Sequence, residues 1–197
     1  MTRASIQPTG PADSVQVGWS PPSELDAVAF PGPYRYELRG EPVDGLGGES
    51  AVLWTSALEP DLFTLDTLVW LTDLDTEGLA WSFAIHLFSD GQLVGVPPAA
   101  NTPRLLLTPD DNQLRLDILG SVPWQVQEYI VEKEITTGGA FEVLDTVFMP
   151  MYVDSGLVNG EFYCYRVTTK GEYDDTTTES PLVNRSQETC GRPFDYT

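Results

Sequence analysis

At 197 residues, 41% of them hydrophobic, the chain carries enough apolar material for one large domain or two small ones. A formal net charge of −20 and a pI near 4.1 exclude nucleic acid and anionic membrane surfaces as partners, because both repel a polyanion. The 16 Pro and 17 Gly are dispersed along the chain, which fits many short strands joined by turns and does not fit disorder.

The first ten residues, MTRASIQPTG, lack the apolar core of a signal peptide, so the chain is expected to be either cytoplasmic or a piece of a longer one, and the abrupt end CGRPFDYT favours the piece. Residues 11–19, PADSVQVGW, open on a turn cluster and then alternate, with Val15, Val17 and Trp19 on one face. Period-two alternation predicts a half-buried strand. PYRYELRG, residues 33–40, follows as a second strand. LVWL, residues 68–71, soon meets Asp73 and Asp75, and no apolar run approaches a membrane span. LAWSFAIHLFSDGQ, residues 79–92, sets Trp81, Phe83, Ile85 and Leu87 inward and His86 toward solvent.

After AANTPR, residues 99–104, the pattern begins again. PDDNQLRLDI, residues 109–118, repeats the first strand, with Leu114, Leu116 and Ile118 in phase. EYIVEKE, residues 128–134, answers PYRYELRG, and EFYCYRVTTKGEY, residues 161–173, answers LAWSFAIHLFSDGQ. In that last strand Tyr163, Tyr165 and Val167 face inward, and Phe162, Cys164 and Arg166 face outward. The prediction is an all-β chain with almost no helix. It has two tandem immunoglobulin-like β-sandwiches, residues 1–103 and 104–197, joined by a short linker with a limited hinge.

The second module resembles a fibronectin type III domain. DSGLVNGEFYCYRV supplies the leucine of the turn, Leu157, and the tyrosine that opens the next strand, Tyr163. In that family the tyrosine hydroxyl ties back to the turn backbone, a structural corner. The first module offers Leu74 and Trp81 at those places, and without a hydroxyl on Trp81 the tie is expected to be absent. Trp19 fills a tryptophan position usual for the family; Ile118 replaces it in the second module with bulk and burial kept.

A narrower resemblance covers nearly the whole chain. LTPDDNQLRLDILGSVPW, YVDSGLVNGEFYCYRVTTKGEY and SPLVNRSQETCGRPFD look like tandem repeats of large Bacteroidetes surface proteins, gliding-motility-associated and exported by the type IX route. The most specific stretch is Pro181–Leu182, Asn184, Ser186–Gln187, Cys190, Pro193 and Asp195. The resemblance implies a secreted or cell-surface protein, with a partner at the surface or in the secretion machinery.

No serine or cysteine has an identifiable base and orienting group around it, and the single His86 cannot build a histidine metal site. Catalytic and cofactor-binding residues are therefore predicted to be none. The acidic pairs Asp73/Asp75, Asp110/Asp111 and Asp174/Asp175 read first as solvated turn carboxylates. If calcium binds, Asp110 and Asp111, assigned to the inter-module region, are the place to look. Trp54, Trp70 and Trp124 read as packing residues, with sugar stacking as the alternative, and Trp124 is placed to cap one sandwich end. Asn184-Arg-Ser matches an N-glycosylation sequon, and DSV at Asp13 and DTL at Asp66 resemble an O-glycosylation signal.

Cys164 and Cys190 are the only cysteines. Pairing the strand 161–169 antiparallel with a strand 182–190 sets Cys164 opposite Cys190 and Arg166 opposite Glu188, so two pairs agree on one register. This predicts an outward-facing disulfide, given oxidising surroundings. Two free thiols in a reducing compartment are the competing reading, and a catalytic thiolate lacks a group to lower its pKa. The functional expectation is a non-catalytic spacer and interaction pair from an exported surface protein. The alternative is a carbohydrate-binding accessory pair of a secreted enzyme.

Overall fold

A computed structural model describes residues 3–6, 13–43, 50–77, 79–135, 139–174 and 180–195. The chain divides into two compact units. The first runs to Asn101 and includes Ser121–Pro123; the second takes Thr102–Gly120 and continues from Trp124. Among the described residues no helix is long and apolar enough to cross a membrane.

In the first unit, β1 (Arg3–Ile6), β2 (Val15–Gly18) and β5 (Leu68–Leu71) form one antiparallel sheet in the order β1-β2-β5. The second sheet runs β4 (Ala51–Thr55), β3 (Tyr34–Pro42), β6 (Trp81–Ser89), β7 (Gln92–Gly95), and β8 (Ala100–Asn101) also pairs with β6. One turn of 3-10 helix, Leu62–Thr64, is capped by Asp61, whose carboxylate accepts the Phe63 N–H at 3.0 Å.

The core lies between these sheets: Val15, Val17, Val69 and Leu71 from the first meet Tyr36, Leu38, Phe83, Ile85 and Leu87 from the second. Strict alternation along β3 buries Tyr34, Tyr36 and Leu38 and turns Arg35, Glu37 and Arg39 outward, where Arg35 and Glu37 pair at 2.7 Å. Gly40 lies opposite Phe83, and a Cβ there would meet Leu53 at 2.6 Å and the Phe83 ring at 3.0 Å. A larger residue there has to push Leu53 aside and press on that ring.

The second unit repeats the plan. β9 (Arg104–Asp110), β10 (Gln113–Leu119) and β13 (Met151–Ser155) make one sheet in the order β13-β10-β9. The other runs β12 (Phe141–Val147), β11 (Gln125–Glu134), β14 (Tyr163–Glu172), β15 (Leu182–Arg185), with β16 (Thr189–Gly191) also on β14. Leu105, Leu114, Leu116 and Ile118 pack against Val131, Tyr165 and Val167. Each unit thus sets a sheet of three strands against a sheet of five. Both units are β-sandwiches, as the period-two patterning predicts. Trp124 is buried at one sandwich end, over Gly171, where a Cβ would overlap the Gln125 carbonyl oxygen.

The last predicted strand is not continuous. Cys164 lies opposite Cys190 and Tyr165 opposite Thr189, but Thr168 faces Arg185 and Thr169 faces Asn184, a shift of one residue. The chain bulges at Ser186–Glu188, so Arg166 does not pair with Glu188 across the ladder. Its partner is Glu132 on the other side, directly opposite on β11 and 2.7 Å away.

Candidate functional site

Ser186 and Gln187 of the most specific motif sit on that bulge in the second unit. Ser186 Oγ accepts the Val167 N–H at 2.9 Å and donates to the Gln187 carbonyl at 2.8 Å. Gln187, left over by the shift, turns inward and reaches the opposite sheet. Its Nε2 donates to the Leu105 carbonyl at 3.1 Å, and its Oε1 accepts the Leu105 N–H at 3.3 Å. One side chain thus imitates a strand neighbour for an edge backbone that has none. Cys164 and Cys190 close a disulfide three residues on, and the Pro193 carbonyl accepts the Gly160 N–H at 2.8 Å. Asn184 of the sequon is fully buried, in no position to receive a glycan.

Titratable groups gather beside this clasp. Lys133 Nζ lies 2.7 Å from Asp154 Oδ2, and the Tyr165 hydroxyl donates to the same oxygen at 2.7 Å. The three come from β11, β13 and β14, so the cluster bridges the two sheets. Burial, and then the Asp154 carboxylate, push the Tyr165 phenol far up, holding it neutral. Lys133 also lies over the Tyr163 ring, 4.5 Å from its centre. A neutral buried phenol, a paired lysine and a paired carboxylate form a cross-sheet tie and offer no free base. Sequence reasoning missed this cluster because its members are distant in the chain. Glu188 comes near the two cysteine sulfurs, but both are spent on the disulfide and offer no thiolate to a metal.

Asp110 and Asp111 flank the tight turn between β9 and β10. That turn is at the far end of β9 from Arg104, where the chain comes in from Asn101, and not at the junction as expected. Asp110 accepts the Asp111 N–H and the Gln113 side-chain amide, each at 2.8 Å, which holds its carboxyl below the usual range. Asp111 accepts from Asn159 Nδ2 at 2.7 Å. These carboxylates organise the turn and the neighbouring loop. Asp73 accepts from the Thr72 hydroxyl at 3.1 Å. Asp175, like Pro11 and Ala12 of the first predicted strand, lies outside the described residues.

Leu157 is buried, and Tyr163 Oη accepts the N–H of Val158, the next residue, at 3.1 Å. In the first unit the expected absence of this tie is wrong. The Trp81 indole N–H donates to the Asp75 carbonyl at 2.9 Å, next to buried Leu74. His86 sits half-buried on the outer face of β6, its imidazole pushed down by burial and by Arg39. Trp54 packs against Trp19, ring centres 5.8 Å apart. Trp70 does not pack: it lies on the outer face of β5, opposite Gln16, and is 43% exposed. The strand alternates, and Val69 and Leu71 already occupy its inner face. Ser14 of the DSV signal is buried, and Thr67 of DTL is half-buried.

A concave feature of the first unit buries two polar aromatic side chains. A cavity of about 480 Å³ opens between residues 20–33, which connect β2 to β3, and β7 with the residues after it. Its floor is Trp19, Tyr36, Ile85 and Leu87. Trp19 and Tyr36 are 4% and 2% exposed, yet neither Trp19 Nε1 nor Tyr36 Oη completes a hydrogen bond. Burial pushes the Tyr36 phenol up to about 12, against a smaller lowering from the nearby indole N–H. No periodicity in residues 20–33 signals the cavity, because its wall is an irregular connection.

No protein-family profile matches the chain, and no curated protein matches it. Among solved structures it is similar to the FN1–FN3 domains of chicken CNTN1, with 10% identity over 98% of this chain and 68% of that one, at a TM-score of 0.37. It is also similar to the chicken interferon gamma receptor alpha chain, with 15% identity over 92% of this chain and 93% of that one, at a TM-score of 0.34.

Proposed function

We propose that the chain is a non-catalytic pair of spacer and interaction modules from an exported, cell-surface protein of the gliding-motility-associated or adhesin kind, a type IX secretion substrate. The Cys164–Cys190 disulfide carries this reading. Such bonds persist in oxidising compartments and are rare where thiols are kept reduced. The contact surface would include the bend between β12 and β13, where Phe148 and Met149 are 77% and 63% exposed. Aromatic residues and methionine are enriched in protein interfaces.

The test uses intact cells of the organism that makes the protein. External protease should digest the chain, and unfolded unreduced protein should show no reactive thiol. Protection from the protease together with two reactive thiols would overturn the proposal.

A second reading, a carbohydrate-binding accessory pair, is favoured by one observation: the exposed Trp70 opposite Gln16 on the outer face of β5. Sugar rings stack on such indoles. Glycan-array binding that disappears in Trp70→Ala would support it, and binding unchanged by that substitution would end it.

A further inference from the structure

We propose that Asn159 is a latent modification site, held unreactive by the fold and released to deamidation when the strand that carries Cys190 detaches. The co-reactant is water. This goes beyond the export reading and does not depend on it.

The chemistry starts from the sequence. Asn159 is the only asparagine followed by glycine; the other three, Asn101, Asn112 and Asn184, precede Thr102, Gln113 and Arg185. In such a pair the glycine backbone nitrogen attacks the asparagine Cγ. The N–Cγ bond forms, the Cγ–Nδ2 bond breaks, and ammonia leaves with the proton of the attacking nitrogen. Water then opens the cyclic imide at either carbonyl, giving aspartate or isoaspartate, and nothing is oxidised or reduced. A Cβ on the second residue hinders the ring closure, and glycine has none.

The fold engages each group that this reaction needs. The Gly160 N–H, whose nitrogen is the nucleophile, donates to the Pro193 carbonyl at 2.8 Å. Asn159 Nδ2, the leaving nitrogen, donates to Asp111 Oδ1 at 2.7 Å, and Asn159 Oδ1 accepts the Asn112 N–H at 2.9 Å. The turn before it is pinned as well. The Leu157 N–H donates to the Asn112 carbonyl at 2.9 Å, and Tyr163 Oη accepts the Val158 N–H at 3.1 Å. Ring closure therefore waits for local opening, and its rate follows the population of the opened form.

The tail after β16 sets that population. Pro193 lies just beyond β16, which the Cys164–Cys190 disulfide fixes to β14. Without the bond, only the short ladder of Tyr163–Tyr165 with Thr189–Gly191 holds Pro193 to Gly160. The product keeps the record of the release. A carboxylate at 159 replaces the amide that donates to Asp111, and two like charges so close repel, so the turn recloses less well even after the disulfide re-forms.

The test holds the protein at pH 8 and follows Asn159 by peptide mapping in the mass spectrometer. Five samples are compared: the native chain, the chain reduced by dithiothreitol, Cys164→Ala with Cys190→Ala, a chain ended at Arg192, and the native chain unfolded in guanidinium chloride. The unfolded chain should convert Asn159 fastest, ahead of Asn101, Asn112 and Asn184. The native chain should be slower by about tenfold or more, and the other three should fall between. The chain ended at Arg192 keeps the disulfide and lacks the Pro193 carbonyl, so it stays decisive if loss of the disulfide unfolds the second unit, which circular dichroism shows. Three results would overturn the proposal: a native chain as fast as the unfolded one, a chain ended at Arg192 no faster than native, or disulfide-free chains no faster than native.

Discussion

The Trp81 indole N–H donates to the Asp75 carbonyl at 2.9 Å, and the second unit closes the same corner with the opposite polarity, Tyr163 Oη accepting the Val158 N–H at 3.1 Å. In each unit the tied backbone group belongs to the residue just after a buried leucine, Leu74 or Leu157. The leucine anchors the turn in the core, and the aromatic group pins the backbone beside it. Trp81→Phe and Tyr163→Phe should each lower the unfolding free energy of their unit by about 1–2 kcal/mol. Urea titrations with unchanged slope would show it. A loss within the error of the fit would remove the corner as a stabilising device.

Reading strands from the sequence worked where one face of a strand is buried, because alternation is then imposed by the core. Val15, Val17 and Trp19, or Leu114, Leu116 and Ile118, declare themselves. The misreadings come from hydrogen-bond geometry, which leaves no period. A tie equated with a hydroxyl overlooks Trp81, whose indole N–H serves against a carbonyl. One neighbouring strand alone sets Arg166 against Glu188; a central strand has two neighbours, and Glu132 lies on the other. Gln187 interrupts the alternation and looks like a defect until its amide is seen against Leu105. The cavity was illegible because an irregular connection forms its wall.

Gln187→Leu keeps the volume and removes the amide. The Leu105 N–H, buried at the sheet edge, then has no partner, while its carbonyl keeps only the Thr189 hydroxyl at 3.4 Å. The expected loss is about 2–3 kcal/mol in the second unit, because a buried orphan donor pays its full desolvation cost. Amide exchange of Leu105 should accelerate more than that of Leu116. Equal protection in the variant would mean that the clasp is ornamental.

Replacing both cysteines, Cys164→Ala with Cys190→Ala, opens a loop whose ends are 26 residues apart. The chain-entropy model puts the cost at about 3–3.5 kcal/mol. The unfolding transition of the second unit should fall and that of the first should stay. Reduction of the native protein by dithiothreitol should reproduce the shift. A stability unchanged by both treatments would show that the clasp of Ser186 and Gln187 holds the edge strand without the bond.

Acid should weaken the second unit through Glu132. Burial alone pushes this carboxyl up, but the hydrogen bond and charge of Arg166, then the charge of Arg185 and the Thr168 hydroxyl, outweigh it. The net result lies below the ordinary 4.5. A depressed carboxylate stabilises fully above its unfolded value, and that stability is lost as pH falls through the folded one. Glu132→Gln should therefore cost about 2 kcal/mol at neutral pH, with the Arg166 guanidinium losing the carboxylate it pairs with. The gap from the native chain should close as pH drops from about 5 toward 3. A gap that stays constant over that range would assign Glu132 a packing role only.

Tyr36→Phe tests whether the phenol of the cavity floor has a partner within the fold. Tyr36 Oη is buried and completes no hydrogen bond, so its removal at pH 8 should leave the first unit unchanged or up to about 1 kcal/mol more stable. The alkaline side follows from the phenol's shift. Burial raises it to about 12, from 10 in the unfolded chain. Folded and unfolded forms both hold the proton below pH 10, where its contribution to stability is complete. Between about 10 and 12 the unfolded chain releases the proton and the folded chain does not, so native stability falls. Phenylalanine has no proton to lose, and the variant should gain on the native chain by a margin that grows above pH 10. Urea unfolding of both proteins at pH 8, 10 and 11 measures that margin by difference, cancelling every other tyrosine. A variant less stable at pH 8 by more than about 1 kcal/mol would show that the hydroxyl already has a partner in the fold.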